Sequence, residues 1–581
     1  MADLSTFEFF QKESSHEDVE VRQEAFEQIS LICGLIGADQ CREVMINYLI
    51  ERVKMDIDQV HVIIARKLRS IIEASGGGEY AHLFVPIIEF LAQSEETVVR
   101  DSIAASIVEI VNKTVTSSHR ESVTAFVDMT NRLINETNEE IGDIFYPRYT
   151  AAKFCSSILK IAPNNSILID GFISLCKHEI MLVRQSAIGV IPTMASHSGE
   201  RNLDICTSLI AATDDDMENI QVFAISKIAE MAKVIGKSST TAQLLPVIVA
   251  KSQSSSWTIK LAIAKILSEF VLLIPEVEVT SQILTVVETL LQDRDSDVRT
   301  HAVMTLSHMT QLVPSDKLLT VIIPLSPLLI EDFAINVRKE TVLAIVALAT
   351  QVEASSSDKL VLHDLIMKIA NDEDSVVRVN LVTSLPIIAE RAPELLKELM
   401  TTIKALFLDQ FWRIRVSLAE AMPAIYKHMG SDFFRSNFLE EYKALLKDSV
   451  SNVRLGCAAS IVQLVSSTGG DFIQESLFPF IKSLSSDEQL FRITSVLASR
   501  AILLGDDIGD TLQQESLQIL LDAASDSVPN VRLTAAIALG EVVTKLNDSG
   551  RPRVRSMLSE LQTDKDRDVV FYATQSYKIC A

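Results

Sequence analysis

Glycine, proline and aromatic residues are scarce in this chain. Its 581 residues include 18 glycines, 15 prolines and 6% aromatic residues, whereas 48% are hydrophobic. A low content of helix-breaking residues combined with many apolar ones is typical of a chain that is helical almost throughout. The composition therefore favours an all-α protein.

Basic residues are also in short supply. Lysine and arginine number 53 against 77 aspartates and glutamates, so the formal net charge is −24. Because binding to a phosphate backbone needs a basic stripe and the sequence shows none, we expect no nucleic-acid partner. An acidic surface suits solubility and basic protein partners, although solvated helix faces account for most of these carboxylates.

The sequence lacks the marks of a secreted or membrane protein. The segment Met1–Ser15 carries acids where a signal peptide needs a basic and then an apolar region. The longest apolar stretch, 318–330, is interrupted by Pro324 and Pro327 and is too short to span a bilayer. Seven scattered cysteines without a CxxC pair indicate reduced thiols, so we expect a cytoplasmic protein that can also be nuclear. The cysteines are Cys33, Cys41, Cys155, Cys176, Cys206, Cys457 and Cys580.

Motifs of catalysis are missing as well. The chain has no glycine-rich phosphate loop, no GxSxG and no HExxH. His301 and His308 could share one helix face, but no third ligand stands near them at metal-binding spacing. A hydrolase hidden in the chain would need converging polar groups, so we expect no enzyme, no cofactor and no metal.

What the sequence does contain is a repeat. The stretch Asp295-Ser296-Asp297-Val298-Arg299, an acidic turn followed by a Val-Arg pair, recurs along the whole chain with an arginine or a substitute at intervals of 36 to 40 residues, except for one of 48. A period near 40 residues is typical of HEAT and armadillo repeats. The fifteen positions are Arg22, His61, Arg100, Arg148, Arg184, Gln221, Lys260, Arg299, Arg338, Arg378, Arg415, Arg454, Arg492, Arg532 and Val570.

One repeat contains two helical patterns. Apolar residues at helical spacing over 283–291 predict a first helix, and a second is expected from Val298 to before Pro314. The acids at 293–297 lie where the second helix presents its unpaired N–H groups. We therefore predict one α-solenoid over 1–581, with about fifteen HEAT repeats of two antiparallel helices and atypical repeats at its ends.

The recurring arginine predicts contacts between repeats. If the repeats stack in parallel, each arginine lies beside the acidic turn of the next repeat. We expect exposed ion pairs of about 0–1 kcal/mol each, which fix the register while apolar burial supplies cohesion. For a minority of copies, a solvated charge at the start of a helix is the alternative.

The interval of 48 residues predicts an insertion. Between Arg100 and Arg148 lie two polar, turn-prone segments, 115–119 and 135–140. We expect about eight to ten extra residues in loops there.

Aromatic residues replace the usual acid or serine at three of the turns. The two tryptophans of the chain, Trp257 and Trp412, hold the same place before the second helix, and Phe145-Tyr146 occupy that register before Arg148. Exposed aromatic residues dominate binding hot spots, so these turns are candidate interfaces. Packing of the rings between adjacent turns is the alternative.

These segments resemble the scaffold (A) subunit family of protein phosphatase 2A. The number and order of repeats are similar over essentially the whole chain. The more specific similarity lies in two regions: residues 77–82 with Pro86 and Glu95-Glu96-Thr97-Val98-Val99-Arg100-Asp101, and Trp412-Arg413-Ile414-Arg415 with 421–423 and 432–434.

The resemblance implies a horseshoe-shaped, monomeric scaffold within a heterodimer or heterotrimer. Turns of repeats 11–15, residues 396–581, would bind a serine/threonine phosphatase catalytic subunit, and turns of repeats 1–10, residues 1–395, an exchangeable regulatory B-type subunit. The resemblance implies that the catalytic subunit contacts Trp412, Arg413, Arg492, Val528, Pro529 and Asn530. It implies that the regulatory subunit contacts Glu95, Glu96, Phe145, Tyr146 and Trp257.

The sequence departs from the family at three regulatory-side turns, which hold Phe145-Tyr146, His178–Leu182 and Trp257-Thr258. Its set of regulatory partners is therefore expected to differ. The alternative function is an importin-type transport receptor or another HEAT interaction scaffold. An importin would have an inner helical face rich in acids and aromatic residues and a longer chain.

Overall fold

The structure is a computed structural model that describes residues 2–135, 145–352 and 357–580. In these ranges the regular elements are helices, without any strand, which confirms the predicted all-α solenoid. The chain forms two compact units, Met1–Leu290 and Leu291–Ala581.

Unit 1 contains the first seven repeats and the first helix of the eighth. Short 3₁₀ segments (Gly77–Phe84, Gly199–Arg201, Val271–Leu273) and π-helical segments (Cys41–Met45, Thr240–Leu244, Val279–Ile283) join or extend its helices. The α-helices are α1 Ala2–Ser14, α2 Val19–Glu27, α3 Ile29–Ile36, α4 Ala38–Gln40, α5 Ile46–Val53, α6 Asp58–Ala74, α7 Val85–Ala92, α8 Thr97–Lys113, α9 Arg120–Asn135, α10 Tyr146–Ile161, α11 Ser166–Leu175, α12 Met181–Ser196, α13 Asn202–Ala212, α14 Glu218–Ser226, α15 Ile228–Ser239, α16 Leu245–Ser252, α17 Trp257–Phe270, α18 Glu276–Glu278 and α19 Leu284–Leu291.

Unit 2 contains the second helix of the eighth repeat and the repeats that follow. It includes one π-helical segment, Ile473–Leu477, and one 3₁₀ segment, Val543–Lys545. Its α-helices are α20 Ser296–Met309, α21 Ser315–Ile330, α22 Ile335–Ala349, α23 Ser357–Ala370, α24 Ser375–Arg391, α25 Pro393–Glu398, α26 Met400–Leu406, α27 Trp412–Met429, α28 Ser431–Asn437, α29 Leu439–Leu446, α30 Ser451–Thr468, α31 Gly470–Phe472, α32 Phe478–Leu484, α33 Gln489–Leu504, α34 Asp510–Ala524, α35 Pro529–Val542, α36 Gly550–Leu561 and α37 Arg567–Ile579.

Each repeat is held together by one apolar face on each of its two helices. On α21, Leu318, Ile322, Leu325 and Leu329 follow the helical period and are all buried. Burial of such faces, at roughly 25 cal/mol per Å², is the main source of cohesion within and between repeats. A single repeat has no other surface against which to bury these residues, so the repeats depend on stacking.

The second helices of successive repeats pack on one another. In unit 2 the series runs from α20 through α22, α24, α27, α30, α33 and α35 to α37, and in unit 1 α6, α8, α10 and α12 form the same kind of stack. Glycine lets the chain turn sharply into the next repeat: Gly430 and Gly469 adopt φ of 84° and 74°, which residues with a Cβ rarely adopt.

The turn from which the repeat was recognised has the predicted cap. Helix α20 begins at Ser296, and the Asp295 carboxylate accepts hydrogen bonds from the N–H groups of Asp297 (2.9 Å) and Val298 (3.1 Å). The acid thus satisfies donors that the helix leaves unpaired.

All seven cysteines are free thiols, as predicted, and burial raises the pKa of Cys155 to about 12.

Segment 115–119 forms a turn between α8 and α9, as predicted, whereas the predicted loop beyond Asn135, 136–140, lies outside the described residues. No helix in the described ranges is long and apolar enough to cross a membrane.

Candidate functional site

The turns between the two helices of each repeat are joined by ion pairs, here called the arginine ladder. An arginine in the first turn of a second helix reaches an aspartate six residues (five in the pair of Arg22) before the corresponding position of the next repeat. In unit 2, Arg299 Nε lies 2.6 Å from Asp332 Oδ2, and Arg338 repeats the contact with Asp372 at 2.8 Å. The stacking predicted from the recurring arginine is therefore confirmed.

Eight such pairs occur in the described part of the chain. In most of them the guanidinium also donates to backbone carbonyls five or six residues earlier, in its own turn; Arg299 Nη1, for example, lies 2.8 Å from Asp293 O and 2.9 Å from Arg294 O. The pairs are Arg22–Asp56 and Arg184–Asp215 in unit 1, and Arg299–Asp332, Arg338–Asp372, Arg378–Asp409, Arg415–Asp448, Arg492–Asp526 and Arg532–Asp564 in unit 2.

The expectation that these ion pairs are exposed is wrong. The side chains of Arg338 and Asp372 are both only 8% exposed. Each guanidinium lies between its own turn and the next one, where stacked repeats exclude water. Buried pairs are costly to break because the remaining partner keeps an uncompensated charge. The ladder therefore fixes the turns more firmly than exposed pairs could.

The electrostatics of the ladder keep both partners charged. Hydrogen bonds from Arg532 lower the pKa of Asp564, and burial opposes this with a smaller effect. The pKa of Asp448 is also lowered: burial alone would raise it, but hydrogen bonds from Arg415 and from the Val450 N–H outweigh burial. Hydrogen bonds to the charged form favour that form.

The ladder is interrupted where the sequence changes. Arg454 donates to Asp448 O (2.7 Å) and Ser449 O (3.2 Å), but Ser486 stands where the next repeat would supply the aspartate. His61 replaces an arginine, and its Nε2 lies 2.8 Å from Val53 O. Gln221 likewise donates to Asp215 O at 2.6 Å. Arg454 and Gln221 thus keep the bond to their own turn, whereas His61 bonds to the end of α5.

The predicted Trp412 site lies on a turn that the ladder fixes from both sides. Arg378 contacts both oxygens of Asp409, at 2.9 and 3.1 Å, and Arg415 donates to the Asp409 carbonyl oxygen. Trp412 is the first residue of α27 and is half-buried, and the exposed Arg413 guanidinium stacks on its ring at 4.7 Å. The turn therefore presents an aromatic ring and a cation together.

The predicted Trp257 site is more exposed. Trp257 begins α17, and 53% of its surface is accessible to solvent. Its turn is held by Glu218 of the preceding repeat, which accepts hydrogen bonds from Thr258 and from Ser256 (2.8 Å). The ring is therefore not buried between adjacent turns, which is the alternative considered for it.

The other regulatory-side residues divide into packed and exposed ones. Tyr146 is half-buried, and the Arg100 guanidinium of the preceding repeat lies over its ring at 4.6 Å. Phe145 stacks on Tyr146 with ring centres 4.6 Å apart. For this pair the structure shows packing between turns. Glu95 and Glu96, by contrast, are exposed at the turn before α8.

The remaining catalytic-side residues lie at the N-terminal ends of α33 and α35. Arg492 contacts both oxygens of Asp526, at 2.7 and 3.0 Å, so its guanidinium is engaged within the ladder. Val528 caps α35 and is half-buried, whereas Pro529 and Asn530 are exposed. Contact of these residues with a partner stays a prediction.

Sequence reasoning missed two exposed residues of the turns in unit 2. Phe333 is fully exposed, at 102%, in the turn before α22, and Leu408 is 87% exposed beside the Trp412 turn. The signal was available, since Phe333 follows the ladder residue Asp332 where the other ladder turns of unit 2 carry Glu, Gln, Ser or Lys. It was overlooked because Phe333 stands two residues earlier in the turn than the tryptophans do.

In the described residues, no cluster of histidine, cysteine, aspartate or glutamate could hold a metal ion. The turns thus present aromatic side chains, such as the exposed Trp257, on a backbone that the ladder and nearby hydrogen bonds hold in place. Two family profiles match the sequence: "PIK3R4-like, middle domain" over residues 292–494, and "HEAT repeat" over residues 517–546. The fold, together with the match to the HEAT profile, defines the class of α-solenoids built of HEAT-type repeats.

Within that class, the resemblance to the scaffold subunits of protein phosphatase 2A is confirmed. The chain is 34% identical over 110 residues to the "Protein phosphatase 2A scaffold subunit" of Dictyostelium discoideum, an alignment that covers 19% of each chain. It is 25% identical over 239 residues to the "Probable serine/threonine-protein phosphatase PP2A regulatory subunit" of Caenorhabditis elegans, covering 40% of this chain and 39% of that protein. These alignments span less than half the length of either relative.

A solved structure shows the same fold over nearly the entire chain. The crystal structure of Kap121p bound to Nup53p matches with a TM-score of 0.58 and 12% identity, covering 99% of this chain and 64% of that one. At this identity the similarity concerns the solenoid fold alone.

Proposed function

We propose that this chain is a non-catalytic scaffold that binds a serine/threonine phosphatase catalytic subunit through the intra-repeat turns of residues 396–581, and a regulatory subunit through turns of residues 1–395. The observation that carries the proposal is the half-buried Trp412 ring with the exposed Arg413 guanidinium stacked on it, on a turn fixed by buried ion pairs. The sequence similarity to phosphatase scaffold subunits supports the choice of partner.

A rigid turn makes a good docking site. The Phe411 N–H donates to Asp409 Oδ1 at 2.9 Å, so the backbone before Trp412 is held by the same carboxylate that pairs with Arg378. The Arg378 guanidinium also lies 5.4 Å from the Phe411 ring centre. Because the turn is already ordered, a partner that covers these rings loses little conformational freedom on binding.

The scaffold acts by proximity. Two subunits bound to one frame meet at an effective concentration set by their spacing, so a targeting subunit delivers substrate to the phosphatase as if within one molecule. The phosphatase chemistry and its metal belong to the bound enzyme. We place the assembly in the cytoplasm and nucleus, where free thiols such as those of this chain persist.

Size-exclusion chromatography with light scattering tests the assembly. The purified chain is mixed with a serine/threonine phosphatase catalytic subunit, and a phosphatase regulatory subunit is then added. We expect a 1:1 complex in the first step and a 1:1:1 complex in the second. Separate elution of the catalytic subunit from the chain at micromolar concentrations would refute the proposal.

An importin-type transport receptor is the alternative function. Its support is the match of the Kap121p fold to 99% of the chain. This likeness is shared by solenoids of different function, whereas the curated sequence matches described above are to phosphatase subunits. Capture of an importin cargo, together with failure to bind the catalytic subunit, would favour the receptor.

A further inference from the structure

A basic cleft lies at the last repeat of unit 2, away from the arginine ladder. It has a volume of about 520 Å³ and is formed by the 3₁₀ segment Val543–Lys545, the start of α36 and the end of α37. Helix α36 runs toward the turn at 562–566 and α37 runs back from it, so the cleft is at the opposite end of the repeat from that turn. A ligand there would leave the turns accessible.

Two arginines with little pairing point to an anionic ligand. Arg551 and Arg555 are four residues apart on α36 and both line the cleft. Among the described residues, the one carboxylate within ion-pair distance of Arg551 is that of the fully exposed Asp548, 4.0 Å from Nη1, and Arg551 Nε donates to Leu546 O. Arg555 Nε donates to the Tyr577 hydroxyl at 3.4 Å, and in the described part of the chain no carboxylate lies within ion-pair distance of Arg555.

The contrast with the ladder makes this pair unusual. Arg532, in the same repeat stack, contacts both oxygens of Asp564, at 2.7 and 2.8 Å, and is largely buried. Arg551 and Arg555 are exposed and keep most of their N–H donors for a ligand. In a chain of net charge −24, two such guanidinium groups beside one cavity form a local basic site.

The rest of the lining selects among anions. Val543, Pro552 and Ile579 supply an apolar wall, and Thr544 adds a hydroxyl. Arginine binds carboxylates through two parallel N–H···O bonds, and an aliphatic side chain fits the apolar wall. A cavity of this size holds a few amino-acid residues. Large polyanions such as nucleic acid would be repelled by the negative charge of the whole protein.

We propose that this cleft binds a short acidic peptide segment in which an aspartate or glutamate stands next to an aliphatic residue. The carboxylate pairs with Arg551 and Arg555, and the aliphatic side chain packs against Pro552 and Ile579. The site does not depend on the scaffold function proposed above, because it lies outside the turns that would bind the phosphatase subunits.

Fluorescence anisotropy with the full-length chain tests this site. The probe is a fluorescein-labelled peptide of about seven residues that alternates glutamate with leucine, at a length suited to the cavity. Two control peptides replace glutamate by glutamine or leucine by serine. We expect saturable binding of the first peptide that weakens as salt rises, with affinities at least about tenfold lower for both controls.

Variants separate the cleft from general electrostatics. The double variant Arg551→Gln/Arg555→Gln should bind the probe peptide at least about tenfold more weakly, because it lacks both guanidinium groups that pair with the carboxylate. The matched control is Arg553→Gln, on the same helix, whose guanidinium donates to Gln518 and does not line the cleft. It should leave the affinity within about twofold, since a charge outside the cleft makes no hydrogen bond to the peptide and acts on it only through screened attraction. Circular dichroism confirms that each variant is folded.

Several outcomes would overturn the proposal. These are absence of binding by the wild type, equal binding of the glutamine peptide, unchanged affinity in the double variant, or an equal loss in Arg553→Gln. Binding to vesicles of anionic phospholipid without binding to the peptide would also overturn it. The assay contains no phosphatase, so its failure would leave the scaffold proposal intact, and failure of that proposal would leave this site intact.

Discussion

Arg338 and Asp372 form a two-point ion pair between successive repeats, with Nε 2.8 Å from Oδ2 and Nη2 3.2 Å from Oδ1. Arg338 Nη1 also donates to Asp332 O at 2.6 Å, within its own turn. One guanidinium thus fixes the turn of its own repeat and its distance to the next. The consequence is a row of ordered turns in unit 2 that carry exposed side chains.

Removing Asp372 should destabilise the protein. Asp372→Ala leaves the largely buried Arg338 without its carboxylate, and we expect a loss of roughly 2–4 kcal/mol in the free energy of unfolding. The control is Glu373→Ala, whose side chain is 91% exposed and lies 3.7 Å from Arg338. It should change stability by less than about 0.5 kcal/mol. Urea denaturation followed by circular dichroism measures both, and equal effects would contradict a structural role for the pair.

The ladder also predicts acid sensitivity. The native pKa of Asp564 is lowered mainly by hydrogen bonds from Arg532, so in acid the unfolded chain takes up a proton before the native one does. The stabilisation is present above the unfolded pKa, about 3.9, and is lost as pH falls through the native pKa. The melting temperature should therefore fall between about pH 5 and pH 2.

Replacing Asp564 tests this assignment. Asp564→Asn should melt at a lower temperature than the wild type at pH 7 and show a smaller further decrease in acid, because its side chain no longer titrates. Asp548→Asn is the control, since that carboxylate is fully exposed at 104%. If the Asp564 variant and the wild type had parallel pH profiles, this pair would not be the source of the acid sensitivity.

Phe333 should matter for binding and not for stability. Its ring is fully exposed, so Phe333→Ala removes no packing and should leave the melting temperature unchanged. We expect the variant to bind the regulatory subunit more weakly, because an exposed aromatic residue on an ordered turn is a typical hot spot. Surface-plasmon resonance gives the affinity.

Phe434 provides the matched comparison. It is 0% exposed, and Phe434→Ala should cost about 3–5 kcal/mol of stability through the cavity it leaves. If Phe333→Ala lowered stability to a similar degree, the ring at position 333 would be part of the core and not of an interface.

Much of the fold could be predicted from the sequence. The period near 40 residues, the apolar faces and the acids at helix starts define two helices per repeat, because each of these signals is local and recurs. Even the cap at Asp295 and the pairing of Arg299 with the next turn follow from the pattern. The interruption of the arginine ladder after Arg454 could also be predicted, since Ser486 replaces the aspartate.

The burial of the ladder and the state of the aromatic turns could not be predicted. Whether Arg338 faces water depends on how closely adjacent turns approach, and spacing along the chain does not give that distance. The same applies to Tyr146, which packs on Arg100, and to Trp257, which stays exposed. The cleft at Arg551 and Arg555 joins three segments and has no local motif.

Trp257 should act on the regulatory side alone. Trp257→Ala should weaken binding of the regulatory subunit by at least about tenfold, because the exposed ring would be a central contact. The affinity for the catalytic subunit should stay unchanged. Titration of each purified subunit with the variant measures the two affinities. Loss of both would contradict separate docking turns for the two subunits.

The most direct test of the account is the affinity of the chain for a serine/threonine phosphatase catalytic subunit, measured by isothermal titration calorimetry with the wild type and with Trp412→Ala/Arg413→Ala. Trp257→Ala serves as the matched control at the corresponding turn position of another repeat. We expect the double variant to lose at least about tenfold in affinity while it remains folded by circular dichroism, and the control to bind like the wild type. Absence of binding by the wild type, or an unchanged affinity of the double variant, would contradict the account.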